Sequence, residues 1–474
     1  MSQQTIGHLV LSTAKRNPDL LAIVGDKTML NYSQLGRMIG SFAARMKAEG
    51  IGPGTVVALE SGDLNIVAPT VLACSLIGAS WIWSGNAHLL ADDAGRVIHF
   101  TDDSSKPTSD AIAIDQSWVA ADPLEFDVTV AFGLDDPFIY APTSGTTGKP
   151  KLLCLSQNQQ MRRAFAAMDD FVERETVFCT LFSPHAYPYV SRFLSGFVNG
   201  ATVIQSRDIA LWDAAGMNHF YGSVSQIAEF LGKRGLPRKF PMVHISGSKV
   251  SDGLARHLLN NFELVVDLYA STETNRSFKN IKFIDENGDV ASRGVPLDST
   301  LQIVNEHGQT EPDGTIGYVR VQNGYLATGY LNNAAATATS FRDGWFYTGD
   351  LGMFGSNGAL QIIGRTGDVL NLGGLKVNAL EMDQHLRALP GVDDAMCFDL
   401  PVADGPNTFL AFVVPKQGVA LESIVTAFGK DVVSVFGAKR TPSHLIEIGE
   451  VPRAHDGGAM RFQCQEIYTR RRGL

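Results

Sequence analysis

The stretch YAPTSGTTGKPKL, residues 140–152, packs two glycines, four short hydroxyl side chains and two lysines into thirteen residues. It continues a predicted strand, DPFIYAP. Gly145 and Gly148 let backbone N–H groups approach an oxyanion closely, and Thr143, Ser144, Thr146 and Thr147 add donors. Lys149 and Lys151 supply positive charge. This is the chemistry of a phosphate cradle. It is not a Walker A loop, because Thr143 stands at the first glycine of G-x-x-x-x-G-K-[ST] and Pro150 follows the lysine. The competing reading is a Gly/Thr-rich surface turn, and the density of hydroxyls argues against it.

Outward from this loop, helical periodicity is plain in QTIGHLVLSTAKRN and in YSQLGRMIGSFAARMKAEG, the latter ending at Gly50. TVVALES reads as a buried strand, NIVAPTVLACSLIGA as an apolar helix, and SWIWSG follows. Strand and helix alternate to about residue 300, which predicts α/β layers with largely parallel sheets. From TLQIVNEHGQT to GALQIIGRTGD the pattern changes to short strands with Asn-, Asp- and Gly-rich turns, predicting a β-rich subdomain. Mixed segments after residue 367 suffice for a small α+β domain. The expected domains are 1–366 and 367–474, joined by a tight hinge near Gly367 and Asp368, because no low-complexity linker separates them.

Composition excludes several classes. The chain has 474 residues, 45% hydrophobic and 19% charged, so a large core is expected. A net charge of -10 argues against a nucleic-acid partner. The terminal TRRRGL reads as a solvated tail, or as a contact for nucleotide phosphates. Five scattered cysteines, Cys74, Cys154, Cys179, Cys397 and Cys464, contain no C-x-x-C and suggest thiols in a reducing compartment. The first twenty residues lack the pattern of a signal peptide, and no apolar run approaches the roughly 20 residues of a membrane span. A cytoplasmic protein is expected.

Five motifs in order carry a resemblance over nearly the whole chain. They are the loop above, the opening NPDLLAIVGDKTMLNYSQLGRMIGSFAARMKAEGIGPGTVVAL, DLYASTET, WFYTGDLG and GRTGDVLNLGGLKV. The sequence resembles the adenylate-forming superfamily, which holds acyl-CoA ligases, peptide-synthetase adenylation domains and luciferase-like enzymes. The resemblance implies that Thr143, Ser144, Thr146, Thr147 and Lys151 bind phosphate. Thr272 would meet the α-phosphate and Glu273 would hold Mg²⁺, a hard cation suited to one carboxylate and phosphate oxygens. Asp350 would accept both ribose hydroxyls, Arg365 would approach the ribose, and Tyr269 would stack near the adenine. Gly247 and Ser248 would line the adenine and acyl carbonyl, with Ala270 at the acyl pocket in place of the motif glycine. Gly373 and Gly374 would give room to a thiol tunnel. Taken singly, Asp350 reads as a turn residue and Glu273 as a solvated carboxylate; the shared order raises both.

In the family, a carboxylate first attacks the α-phosphate of ATP. A mobile C-terminal domain then swings, and the thiol of CoA or phosphopantetheine attacks the acyl-adenylate. The family's closing Pro-x-x-x-x-Gly-Lys supplies a lysine to the first step. In VPRAHDGGAMRFQ, residues 451–463, Pro452 and Gly457 align, Arg461 follows, and the lysine position is Gly458. The resemblance therefore implies impaired adenylation with the thioester half retained, the adenylate coming from another enzyme. Gly367, at the usual Asp or Lys of the hinge, frees the backbone there.

FSPHAYPYVSRF stands beside the acyl group in the resemblance, with His185 as the candidate residue, or else a structural histidine. No Asp occurs there to pair an amine, so a bulky hydrophobic, non-amino acid from specialised metabolism is expected. Two other readings remain open at this point. One is a complete ATP-dependent ligase with a substituted cation. The other is a catalytically silent binder of acyl-adenylate.

Overall fold

Nine strands form the largest sheet of this computed structural model, which describes residues 4–90, 95–102, 111–119, 132–143, 150–170, 176–232, 235–247, 250–366, 368–372, 375–400, 407–453 and 460–472. In spatial order they are Val290–Pro296, Asn275–Ile284, Phe262–Ser271, Phe240–Ser246, His219–Ser223, Val177–Thr180, Thr202–Gln205, Leu21–Gly25 and Met29–Asn31. The six strands from Phe262–Ser271 to Leu21–Gly25 run parallel, and the flanking strands pair antiparallel. A six-stranded sheet runs Ile112–Ala113, Arg96–Thr101, Thr55–Glu60, Ser80–Trp83, Pro137–Thr143, Lys151–Ser156. Only its last pair is antiparallel.

Alternation along the parallel strands divides the interior in two. Ile23, Phe178, Val203 and Tyr221 face one core, while their sequence neighbours Val24, Cys179, Ile204 and Phe220 face the other. The first core also takes Val57, Leu59 and Ile139 from the six-stranded sheet. It encloses the helices Ile6–Arg16, Tyr32–Ala48, Leu64–Ile77 and Tyr187–Asn199, which therefore lie between two sheets. Leu64–Ile77 is apolar on every side, as a helix between two sheets must be. The helices Ile209–Ala215, Val224–Leu231 and Asp252–Leu259 cover the second core.

Beyond residue 300 the strands Thr300–Val304, Gly317–Gln322, Phe341–Arg342, Trp345–Phe354 and Leu360–Arg365 form one antiparallel sheet. Residues 370–468 then build cores of their own around Val392–Leu400, Thr408–Pro415 and His444–Glu447. The helix Ala379–Ala388 supplies Met382 and Leu386 to one of these, and Arg461–Arg472 supplies Cys464 to the other. The α/β class, the parallel sheets and the β-rich turn after residue 300 match the expectation. All five thiols are free, and Cys154 is the one not fully buried. Among the described residues no helix is long and apolar enough to cross a membrane.

Candidate active site

The carboxyl ends of three parallel strands open into a cleft of about 2560 Å³. Ser223, Ser246 and Gly247, and the run Ala270 to Glu273 line it, each at the end of its strand. Open α/β sheets bind ligands at such ends because the loops there diverge. The antiparallel sheet adds Thr348, Gly349, Asp350 and Arg365, and the C-terminal segment adds Glu381, His385, Arg453 and Arg461. Gly247 has φ 96 and no heavy atom within 4 Å of the place a Cβ would take. The left-handed backbone, not crowding, requires glycine there.

Asp350 is aimed by a bulge. Arg320 pairs with Tyr347 and Tyr318 with Leu351, so Thr348, Gly349 and Asp350 together oppose Val319. Gly349 takes φ 76 to make the kink. The Asp350 carboxylate is 7% exposed. Tyr269 donates its hydroxyl to Oδ2 at 2.5 Å, and Arg365 Nε lies 2.8 Å from Oδ1. Burial pushes the Asp350 carboxyl above its ordinary range, and Arg365 and Tyr269 only partly offset it. Burial and the neighbouring Asp350 charge likewise push the Tyr269 phenol up. A carboxylate has about four lone-pair positions. Two are used here, which leaves acceptor capacity for a vicinal diol. The structure thus gives Tyr269 a hydrogen-bonding task that stacking alone does not describe.

Thr272 and Glu273 sit in the turn between Phe262–Ser271 and Asn275–Ile284. Arg163, 0% exposed, fixes that turn from below. Its guanidinium donates to the carbonyls of Thr272 at 2.9 Å, Glu273 at 3.0 Å and Tyr325 at 3.1 Å, and to the Tyr187 hydroxyl at 2.9 Å. Tyr330 donates to Glu273 Oε1 at 2.8 Å, and the Lys151 ammonium lies 4.5 Å from the Tyr330 ring centroid. Thr143 and Lys151 face each other in register at the ends of two antiparallel strands, which brings together the two ends of the segment between them. Ser144, Thr146 and Thr147 lie outside the described residues. Among the described residues no cluster of three His, Cys, Asp or Glu side chains could hold a metal. A magnesium ion here would take one protein carboxylate, Glu273, with phosphate oxygens and water, which suits its octahedral demand.

Ser248, Gly367, Gly373, Gly374 and Gly458 also lie outside the described residues. Asp368 is described: its carboxylate accepts from Arg461 Nε at 3.0 Å. Arg461 also pairs with Asp383 at 2.8 Å, and Arg453 pairs with Asp394 at 2.6 Å. His185 is not brought to the cleft. Its exposed ring stacks on Trp83 with centroids 3.6 Å apart. The sequence reading missed Arg163, Arg192 and Tyr330. A signal existed for Arg192, a lone cation in the apolar helix YPYVSRFLSGFVN, since such a charge is tolerated only when paired.

Among the described residues Thr143, Lys151, Gly247, Tyr269, Thr272, Glu273, Asp350 and Arg365 thus line one cleft, and the model of the AMP-binding enzyme family matches residues 11–331 of the chain. The chain belongs to the AMP-binding enzyme family. Curated relatives of this AMP-binding enzyme include acyl-CoA ligases. The oxalate–CoA ligase of Arabidopsis thaliana is 25% identical over 97% of this chain and 98% of its own length. The indoleacetate–CoA ligase of Aromatoleum aromaticum is 24% identical over 96% of each. Among solved structures, O-succinylbenzoate coenzyme A synthetase from Bacillus subtilis in complex with AMP superposes with a TM-score of 0.78 at 19% identity, covering 97% of this chain and 98% of that one. The same enzyme with ATP and a magnesium ion gives 0.78 at 19% identity, covering 96% and 98%.

Proposed function

We propose that this AMP-binding enzyme is an acyl-CoA ligase working mainly in the second half of the family's reaction, from acyl-AMP and CoA to acyl-CoA and AMP. The CoA sulfur attacks the acyl carbonyl carbon and a C–S bond forms. The bond from that carbon to the phosphate oxygen breaks, AMP leaves with the electron pair, and the thiol proton passes to solvent. One observation carries the reading: Tyr269 and Asp350 are bonded to each other and Glu273 is held by Tyr330 in one cleft, where the resemblance would seat the AMP moiety, while glycine occupies position 458, to which the resemblance assigns the family's lysine.

Two further observations support it. Arg453 and Arg461, the cations flanking position 458, are already held by Asp394 and by Asp368 and Asp383. Asp350 keeps lone pairs for the ribose, and Thr272 stands at the turn for the α-phosphate. Glu273 would hold magnesium when ATP is bound. Residues 1–366 and 367–474 would act as two units turning about Gly367 and Asp368, with Gly373 and Gly374 beside the pantetheine thiol. The acid would be a non-amino carboxylic acid, delivered as its adenylate by a separate enzyme.

The test gives the purified protein CoA with synthetic acyl-adenylates and, in parallel, free acids with ATP, Mg²⁺ and CoA. Thioester from the adenylates alone is the expected result. Thioester from both at similar rates would mean a complete ligase with a substituted cation. Tight adenylate binding with no thioester in either arm would mean a silent binder.

A further inference from the structure

The helix Tyr187–Asn199 is buried almost throughout, yet it carries Arg192 at 5% exposure on the cleft wall. Arg192 Nη1 lies 3.2 Å from Asp170 Oδ2, and its guanidinium sits 5.4 Å from the Tyr221 ring centroid. Asp170 also meets Arg276 at 2.8 Å and Lys279 at 3.7 Å. Asp169 meets Arg276 at 2.5 Å and Lys279 at 2.7 Å. Three cations therefore share two carboxylates. Burial opposes ionisation of Asp170, but Arg276, Arg192 and Lys279 hold its carboxyl well below the usual range. Burial pushes His244 well below its ordinary range and outweighs the pull of Asp170, so the imidazole is neutral near pH 7. The network keeps one positive charge in excess, and Arg192 is its member on the cleft wall.

Two buried polar side chains at the same wall lack partners. His244, 3% exposed, stacks on Tyr221 with centroids 4.3 Å apart. Its Nε2 lies 3.1 Å from His219 Nδ1, and its Nδ1 meets no partner among the described residues. Asn275, 5% exposed and at φ 61, accepts from Ser191 Oγ at 3.3 Å through Oδ1, while its Nδ2 meets none. Both line the cleft. Buried polar groups are nearly always satisfied, so unpaired ones facing a cleft point to a ligand that completes them. Of the carboxylates that line the cleft, Asp350 meets Arg365, Glu273 meets Tyr330, Asp368 meets Arg461, and Asp267 is under the influence of Lys282.

We propose that the acid activated here carries a second anionic group, most simply a second carboxylate, seated against Arg192, Asn275 and His244. The inference rests on the ligase reading above and deepens it. It replaces the apolar pocket expected for a bulky hydrophobic acid. The reacting carboxyl joins the phosphate near Thr272, and the distal anion neutralises the excess charge, accepts from Asn275 Nδ2, and accepts from His244 Nδ1 in the tautomer that carries the proton there.

The test measures binding of non-hydrolysable acyl-sulfamoyl adenosines to the full chain by calorimetry. Pairs of matched chain length end in a carboxylate or in a methyl group, with an ω-amide as a third member. The carboxylate should bind about thirty-fold or more tightly than its methyl partner, as for a buried charge pair. Arg192→Gln should abolish this preference. Because Arg192 also pairs with Asp170, Asn275→Asp provides a second variant: aspartate keeps the acceptor for Ser191 and tolerates positive φ, yet repels the distal anion. It should weaken the carboxylate members and spare the methyl ones. Equal or weaker binding of the carboxylate, or an amide that binds as well, overturns the proposal.

Thioester formation from the corresponding adenylates separates the two readings. A retained carboxylate preference without any thioester would sink the ligase reading alone. Turnover and tighter binding of the methyl members would sink the second-anion proposal alone. No binding by any member would overturn both.

Discussion

Asp350 and Arg365 stand opposite each other in register on neighbouring antiparallel strands, with Arg365 Nε 2.8 Å from Asp350 Oδ1. The ladder that pairs the strands also brings the cation to the carboxylate. Arg365 is half exposed and Asp350 is buried, so the pair joins the floor of the cleft to its mouth. The contact orients the acceptor more than it stabilises the fold, because a half-solvated cation contributes about 0–1 kcal/mol.

Asp350→Asn should therefore weaken AMP binding by about 1.5–3 kcal/mol, the usual worth of hydrogen bonds to a charged group. Calorimetric titration with AMP checks this. The wild-type titration should also depend on pH. Since burial raises the Asp350 carboxyl, protonation would remove the proposed ribose acceptor at a higher pH than for an ordinary aspartate. AMP affinity should fall on mild acidification, and the Asn variant should lack that fall. Unchanged AMP affinity in Asp350→Asn would remove the carboxylate from the site.

The contrast between Asp350 and Arg163 shows what linear sequence can carry. Asp350, Glu273 and Arg365 lie in short motifs whose glycines and turns constrain their own backbone, so they were legible as strings. Arg163 lies in QNQQMRRAFA, where two adjacent arginines look like the polar side of an amphipathic helix. Its carbonyl acceptors are 109, 110 and 162 residues away, and no local pattern announces them. The layered α/β fold was readable because side-chain alternation and helix periodicity are local. The charge excess around Arg192 was not, because Asp170 comes from one distant place in the chain and Arg276 and Lys279 from another, the strand Asn275–Ile284.

Replacing Arg163 should damage both stability and the site. Arg163→Met strands three backbone carbonyls in the interior, a loss of about 3 kcal/mol or more. Arg163→Lys keeps the charge but not the planar fork, so it should fall between wild type and Met. Thermal unfolding and AMP affinity, measured together, read the two effects. An Arg163→Met protein that melts like wild type would show that the turn at Thr272 and Glu273 holds itself.

Asp267 gives a pH signature in stability. Burial raises its carboxyl to about 6 against an ordinary value of 3.8, with Lys282 opposing. Between those values the folded chain binds more protons than the unfolded chain, so this contribution is full below 3.8 and is lost as pH rises through about 6. It amounts to at most about 3 kcal/mol. Urea denaturation across that window should show wild-type stability falling with pH relative to Asp267→Asn. Parallel curves for the two proteins would mean that Asp267 is not perturbed.

The sharpest prediction concerns Gly458→Lys. Adenylation gathers a carboxylate and a polyphosphate at one phosphorus atom, so it depends on a cation that the thioester half does not need. Arg461 cannot leave without stranding Asp368 and Asp383, and departure of Arg453 would leave Asp394 only the longer contact with Arg387 at 3.6 Å. A new ammonium at position 458 should therefore act without competition from either. ATP–pyrophosphate exchange should rise by about 10²–10³, the usual worth of one preorganised charge. Thioester formation from a ready-made adenylate should stay within a few-fold of wild type, since AMP departs from groups the substitution does not touch. The split between the two rates is the diagnostic. If exchange stays flat while thioester formation is intact, the defect lies elsewhere in the first half-reaction. If exchange is already fast in the wild type, another cleft cation has taken over the lysine's work.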